Sequence, residues 1–137
     1  MPTPDEVNTF LAEVFPSAHR DGLRCEAIGD RSATARMPYR ESELRPGGII
    51  SGPTLFGTAD CALWFATFDV LGLEAMALTS ELSIRFLRPA RGGDLLARAT
   101  LNSVGRRRLV GTIELWVDGQ PDRLVAVAQG SYVAPSA

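Results

Sequence analysis

Two carboxylates interrupt an otherwise apolar segment at residues 52–72. The apolar side chains recur on every side of the segment, which predicts a helix that is buried on all faces. A carboxylate on such a helix costs free energy unless a hydrogen-bond partner or a reaction uses it. Asp60 is therefore the first candidate for chemistry, and a structural carboxylate held by Ser51 or Thr54 is the alternative. Asp69 is expected near solvent or a helix end.

The start of the same segment offers a second chemical group. Ser51 precedes Gly52 and Pro53, an order typical of a helix start with a serine N-cap and a proline in the first turn. Backbone N–H groups of the first turn have no acceptor inside the helix and lie at the positive end of its dipole. Pro53 has no N–H, so the Gly52 amide is the donor available to a ligand, and glycine allows close approach.

Arginine supplies all 14 basic side chains, because lysine is absent. This excludes a lysine Schiff base and the lysine of a P-loop. Guanidinium groups bind phosphate through paired hydrogen bonds, and several stand at two predicted turns. They are Arg106, Arg107 and Arg108, and Arg88 and Arg91 on either side of Pro89. A solvated turn is the alternative for the three-arginine run.

Composition excludes further classes of function. The two cysteines and single histidine cannot supply the four ligands of a structural zinc site, and no metal or other cofactor is expected. Cys25 and Cys61 are expected as free thiols, with one disulfide as the alternative, and His19 is expected in a surface loop. The net charge of −2 gives no reason to expect binding to nucleic acid or to an anionic membrane.

Two targeting classes are also disfavoured. The two aspartates at residues 52–72 argue against a membrane span, since each costs about 3 kcal/mol at the centre of a bilayer. The first residues carry neither a basic nor an apolar leader segment, so the expected location is cytoplasmic.

Hydrophobic periodicity predicts one domain over residues 1–137. A short helix at about residues 4–16, capped by Thr3 and ended by Pro16, comes first. Strands are predicted at 23–28 and 33–39 around a turn at Gly29 and Asp30, followed by a turn-rich stretch at 40–48. After the long helix, strands are predicted from residue 81 to 86 and at 95–104, 109–117 and 124–133.

These elements predict an α+β fold in which a curved antiparallel sheet wraps around one long central helix. A sheet of about five strands is too small to enclose a helix that is apolar on every side. A second copy of the chain is therefore expected to cover the remaining face.

Two longer motifs resemble those of a known family. Residues 45–60 read RPGGIISGPTLFGTAD, and residues 79–90 read TSELSIRFLRPA, with GRRR at 105–108. Over about residues 23–133 the chain is similar to the hotdog-fold acyl-CoA thioesterases of the phenylacetate-pathway (PaaI) type. The resemblance implies a hotdog fold that dimerises edge to edge, a homotetramer built as a dimer of dimers, and active sites at the dimer interface.

The resemblance also implies roles for the candidate residues in hydrolysing a small, aromatic or medium-chain acyl-CoA. Asp60 would activate a water or attack the thioester carbonyl directly. The Gly52 amide would stabilise the oxyanion, and Ser51 and Thr79 would stand beside the reacting atoms. The CoA phosphates would bind at one set of residues: Arg88, Pro89, Arg91, Arg106, Arg107 and Arg108.

The chain departs from the family pattern at three positions. Ser51 stands where the family has histidine, Pro53 replaces a second glycine, and Arg45 replaces asparagine. A serine hydroxyl forms hydrogen bonds but is not an imidazole base. One alternative is therefore a non-catalytic protein that binds or senses acyl-CoA. An enoyl-CoA hydratase is less favoured, because hydratases of this fold use an Asp–His pair and Phe65 stands five residues after Asp60.

Overall fold

The computed structural model describes residues 1–136; residue 137, the last of the predicted domain, lies outside the described residues. The helices are α1 (Pro4–Val14), α2 (Pro16–Arg20) and α3 (Gly52–Leu71), with a single 3₁₀ turn at Glu41–Glu43. The strands are β1 (Arg24–Gly29), β2 (Ser32–Met37), β3 (Leu44–Arg45), β4 (Ile49–Ile50), β5 (Leu78–Phe86), β6 (Leu95–Val104), β7 (Arg108–Val117) and β8 (Ala126–Val133).

Within the described residues, six strands form one antiparallel sheet in the order β1-β2-β6-β7-β8-β5, and β3 and β4 form a separate hairpin. The predicted α+β architecture is therefore confirmed, and all six strands predicted from the periodicity lie in this sheet. β5 forms one edge of this sheet and hydrogen-bonds to β8 on one side only. None of the helices in residues 1–136 has the length and apolarity that a membrane span needs.

α3 packs across the sheet, and its ends follow local rules. Ser51 is the N-cap, Pro53 lies in the first turn, and Gly72 ends the helix with a φ of 79°. Phe65 and Phe68 of α3 are fully buried, as expected of core residues, and Phe68 packs edge-on against Phe10 of α1. The outer flank is not covered within one chain, since Phe56 is 39% exposed. A second copy thus has an apolar helix face available to it.

A pair of glycines lies in the interior of the sheet. Gly111 on β7 and Gly130 on β8 are direct cross-strand partners. A Cβ at Gly111 would lie 2.7 Å from the Leu63 side chain of α3 and 2.7 Å from the Thr100 carbonyl oxygen. Glycine in a strand interior marks this kind of close approach. Gly111 therefore allows close packing of α3 on the sheet, whereas a Cβ at Gly130 would meet Glu81 and Leu82 of β5.

The N-terminal region differs from its prediction. Thr3 caps α1 in a capping box with Glu6, as its position suggested. Pro16 does not simply end this helix: it is the first residue of α2, because the fixed φ of proline also suits a helix start. His19, predicted in a loop, therefore lies in α2. The stretch predicted only as turns contains the 3₁₀ turn and the β3–β4 hairpin.

Gly111→Ala is expected to destabilise the protein by about 1–3 kcal/mol, because the added methyl group has no space. Gly57→Ala is the matched control: it lies inside α3, and a Cβ there would have no atom of residues 1–136 within 4 Å, so alanine should stabilise by about 0.5–1 kcal/mol. Urea unfolding midpoints test both. Equal midpoints for the two variants would contradict this account of the sheet.

Candidate active site

Asp60 lies on the flank of α3 that faces the edge strand β5, and two hydroxyl groups hold its carboxylate. Thr79 donates to Oδ1 over 2.8 Å, and the Tyr132 phenol donates to the same oxygen over 2.6 Å. The Tyr132 oxygen also lies 3.1 Å from the Asp60 backbone carbonyl oxygen. No side chain in residues 1–136 donates to Oδ2. One carboxylate oxygen is therefore fixed and the other is open to a ligand.

The strand register places these two hydroxyls together. Thr79 on β5 and Tyr132 on β8 are direct cross-strand partners, and partners of this kind share one face of a sheet. Tyr132 is 5% exposed, and burial and the neighbouring Asp60 carboxylate raise its pKa above the ordinary value. The phenol consequently stays protonated and keeps donating to Asp60 across the pH range of ordinary assays.

The structure corrects only the partners that the structural alternative for Asp60 named. The hydroxyls of Thr79 and Tyr132, and not those of Ser51 or Thr54, hold the carboxylate. Sequence reasoning identified Thr79 but missed Tyr132. The sequence feature that could have indicated Tyr132 is its position on an apolar strand, because a buried tyrosine hydroxyl needs a hydrogen-bond partner.

A second polar network holds the start of α3. The Ser51 hydroxyl accepts from the Thr54 N–H over 3.4 Å and lies 2.9 Å from the Thr54 hydroxyl. Thr54 in turn donates to Glu43 over 2.7 Å, and Arg40 pairs with the other Glu43 oxygen. These two donors lower the pKa of Glu43, the Thr54 hydroxyl contributing most, so the carboxylate is ionised at neutral pH. The predicted N-cap role of Ser51 is confirmed.

The two predicted reactive groups are far apart in one chain. Gly52 is the first residue of α3 and Asp60 follows eight residues later, a rise of about 12 Å along the axis. The ring of Phe86, at the end of β5, lies over Gly52, where a Cβ would be 3.4 Å away from it. Gly52 therefore belongs to the Phe86 end of the edge strand, and Asp60 to the Thr79 end.

The predicted phosphate-binding arginines divide between the same two ends. Arg108 donates to the hydroxyls of Ser80 and Ser131 near the start of β5. Arg107, in the same turn, donates to the Ala134 carbonyl, and Arg106 is exposed.

At the other end of β5, Arg88 donates to the carbonyl oxygen of Leu124, and Arg91 donates to that of Gly47. Pro89 and Arg45 are both exposed. The nine residues of β5 put the two arginine groups about 27 Å apart in one chain.

The remaining candidates are structural. Cys25 and Cys61 are free thiols, as expected. Burial raises the pKa of each to about 12, with the Asp60 charge contributing at Cys61, so Cys61 is not the nucleophile. Asp69 accepts from the Arg31 N–H over 2.7 Å near the end of α3, while its Oδ1 is buried without a hydrogen-bond partner within residues 1–136.

Comparison with known proteins identifies the family. The model of the thioesterase superfamily matches residues 47–124, more than half of the chain. The chain belongs to the thioesterase superfamily. A candidate esterase of Saccharolobus solfataricus is 30% identical over 132 residues, covering 93% of this chain and 83% of that protein.

Solved structures agree with this membership. A candidate thioesterase from Silicibacter sp. TM1040 is 35% identical, with a TM-score of 0.87 over 98% of this chain and 92% of that one. The Escherichia coli PaaI protein of the phenylacetic acid degradation operon is 25% identical, with a TM-score of 0.79 over 92% of this chain and 88% of that one. The predicted hotdog fold and the predicted class of enzyme, an acyl-CoA thioesterase, are confirmed at the level of the superfamily.

Proposed function

We propose that this thioesterase-superfamily protein hydrolyses acyl-CoA in an active site shared by two chains, with Asp60 of one chain and the Gly52 amide of its partner as the reactive groups. The observation that carries the proposal is the Asp60 carboxylate, whose Oδ1 is fixed by Thr79 and Tyr132 while Oδ2 is open. The Asp60 carboxylate is thus oriented with one oxygen available to a substrate. It lies beside β5, whose outer side pairs with no other strand of residues 1–136.

The edge strand supports the two-chain arrangement. β5 has exposed apolar side chains at both ends, with Leu78 60% and Phe86 53% exposed. An edge strand of this length and apolarity pairs readily with another chain. Two copies of β5 related by a two-fold axis run antiparallel, so the Thr79 end of one meets the Phe86 end of the other. Asp60 of one protomer then faces Gly52 of its partner.

The proposed reaction uses the open Oδ2 of Asp60. This oxygen either takes a proton from water, which adds to the thioester carbonyl carbon, or attacks that carbon itself to give an anhydride that water then cleaves. In both routes the carbonyl oxygen becomes an oxyanion that accepts a hydrogen bond from the partner's Gly52 N–H. The carbon–sulfur bond then breaks, and CoA leaves as the thiolate.

The same pairing brings the two arginine groups together. Arg106 and Arg107 of one protomer would lie at the end of β5 where Arg88 and Arg91 of its partner lie. The combined patch is cationic and sits beside the shared site, which suits the phosphates of CoA. Among these arginines, the Arg106 side chain is the one most available to a phosphate, since it forms no hydrogen bond in the part of the chain that the structure describes.

Higher assembly is part of the proposal. The outer face of the sheet carries polar and charged side chains, among them Arg98 and Glu114, which form an ion pair over 2.9 Å. The homotetramer implied by the resemblance, a dimer of dimers, leaves the β5 edges paired within each dimer. Light scattering after size exclusion measures the assembly directly.

One alternative function has a specific observation in its favour. Ser51 is the helix cap where the family has histidine, so binding of acyl-CoA without turnover is the second candidate. The hydratase alternative has no such support: Phe65, at the position five after Asp60, is fully buried and carries no proton donor.

Asp60→Asn is expected to lower kcat for acyl-CoA hydrolysis by at least about 100-fold, because the amide is neither a base nor a nucleophile. Asp69→Asn makes the same change nine residues along α3 and should leave kcat nearly unchanged. A free-thiol assay across acetyl-, hexanoyl- and phenylacetyl-CoA measures both. Equal activity of Asp60→Asn and wild type would reject the assignment; binding without turnover by the wild type would favour the alternative.

Tyr132→Phe is expected to lower kcat by about tenfold with little change in KM, since one of two donors that orient Asp60 is lost. Thr79→Ser, which keeps the other donor, is the control. A variant whose kcat is unchanged, or whose KM rises as much as its kcat falls, would contradict a positioning role for Tyr132.

Replacing both Arg106 and Arg107 with alanine is expected to raise KM for acyl-CoA about tenfold at low salt, through loss of phosphate contacts. The KM for the matching acyl-pantetheine, which lacks the nucleotide phosphates, should stay the same. Arg98→Ala, on the outer face of the sheet, is the control. A rise in KM for both thioesters would contradict a phosphate-binding role.

A further inference from the structure

A cavity of about 300 Å³ lies beside the face of α3 that carries Thr54, Gly57 and Cys61, between this helix, α2 and the segment that contains Glu43. Its apolar wall is formed by Phe15, Leu23, Met37, Gly57 and Cys61. A cavity of this size and composition suits an organic group of modest length.

The cavity lies along the stretch of α3 that carries Gly52 and Asp60. Ser51 and Pro53, the neighbours of Gly52 in sequence, line it, and so does Cys61, which follows Asp60. Because Gly52 and Asp60 of one chain would serve two different shared sites, the cavity is available to the acyl group of a thioester bound at one of these two sites. In contrast, a larger concavity is lined by residues such as Arg98, Glu114 and Gln129 on the other face of the sheet, away from Asp60.

Gly57 leaves space in this cavity because it has no side chain, and it lowers the stability of α3. Glycine inside a helix is about 1 kcal/mol less favourable than alanine. Most such glycines allow a close approach of another part of the chain, but a Cβ at Gly57 would meet no atom of the described residues within 4 Å. The space in front of Gly57 is therefore free in this part of the chain and is available to a ligand.

The charged part of the wall is acidic. Glu43 and Asp21 line the cavity, and no basic residue among positions 1–136 does. Glu43 is held in place by the Thr54 hydroxyl and by Arg40, and the same two donors keep it ionised. Arg40 also pairs with Asp21, so two carboxylates and one guanidinium leave a net charge of −1, which repels a second carboxylate that enters beside Glu43.

We propose that this cavity receives the acyl group, that Gly57 sets the length it accepts, and that Glu43 excludes acyl groups that end in a carboxylate. The substrate class is then an uncharged, apolar monoacyl thioester. The proposal rests on the proposed function for the position of the thioester. Binding rather than turnover is therefore the readout, so that the two proposals fail separately.

The charge test compares hexanoyl-CoA with adipoyl-CoA, which has the same six carbons and a terminal carboxylate. Dissociation constants are measured by calorimetry on the Asp60→Asn protein, which is expected to hydrolyse the ligand at least about 100-fold more slowly than the wild type. Hexanoyl-CoA should bind at least about tenfold more tightly. Adding Glu43→Gln should tighten adipoyl-CoA binding about tenfold and leave hexanoyl-CoA unchanged, whereas Glu43→Asp, which keeps the charge, should preserve the discrimination.

The length test uses Gly57→Leu in the same background, with Gly57→Ala as a milder control. The leucine side chain should weaken octanoyl-CoA binding at least about tenfold and change acetyl-CoA binding less than about twofold. Equal affinities for hexanoyl- and adipoyl-CoA in the parent, or equal weakening of octanoyl- and acetyl-CoA by Gly57→Leu, would overturn the proposal. Thermal unfolding shows whether each variant is folded. If Glu43→Gln does not fold, the comparison of hexanoyl-CoA with adipoyl-CoA on the Asp60→Asn protein still tests the proposal.

Discussion

A helix rises about 1.5 Å per residue, and this constraint governs the site. Gly52 and Asp60 are eight positions apart on one helix, so their backbones are separated by about 12 Å along its axis. A thioester carbonyl presents its carbon and its oxygen about 1.2 Å from each other. If the Gly52 amide and the Asp60 carboxylate act on one thioester, they would therefore have to come from different helices. The proposed site needs two chains for this reason.

The edge strand β5 contacts Asp60 and Gly52 at its opposite ends. Thr79 at one end of β5 holds Asp60, and Phe86 at the other end covers Gly52. In the proposed dimer, a two-fold axis through the middle of the strand would exchange its ends, so that each pair of complementary groups would meet across the interface. The same axis would exchange the two arginine groups, which stand near opposite ends of a strand about 27 Å long. One antiparallel pairing would thus place the acid, the amide and the cationic patch at a single location.

Local chemistry made much of the fold predictable from sequence. Ser51 before Gly52 and Pro53 marked the start of α3, and Gly72 marked its end, because caps and breakers act through neighbouring backbone. Pro16 shows the limit of this reasoning: its ring both stops one helix and starts the next, and the sequence does not say which effect prevails.

The site was predictable only in part, since its residues come from separate elements. Asp60 stood out as a carboxylate in an apolar helix, and Thr79 followed from the family resemblance. Tyr132 was missed because its role depends on the register between β8 and β5, and on the position of α3 over both. The same dependence on tertiary packing explains why Glu43, rather than Asp60, is the partner of Thr54.

The most direct test of the shared site is a heterodimer that joins an Asp60→Asn chain to a Gly52→Pro chain, isolated through two different affinity tags after any tetramers have been separated into dimers. Each homodimer should be inactive, one lacking the acid and the other the N–H donor. In the heterodimer both substitutions fall in one site, and the other site keeps its intact acid and amide. About half of the wild-type kcat per dimer is therefore expected. A heterodimer as inactive as its two parents would contradict a site built from two chains.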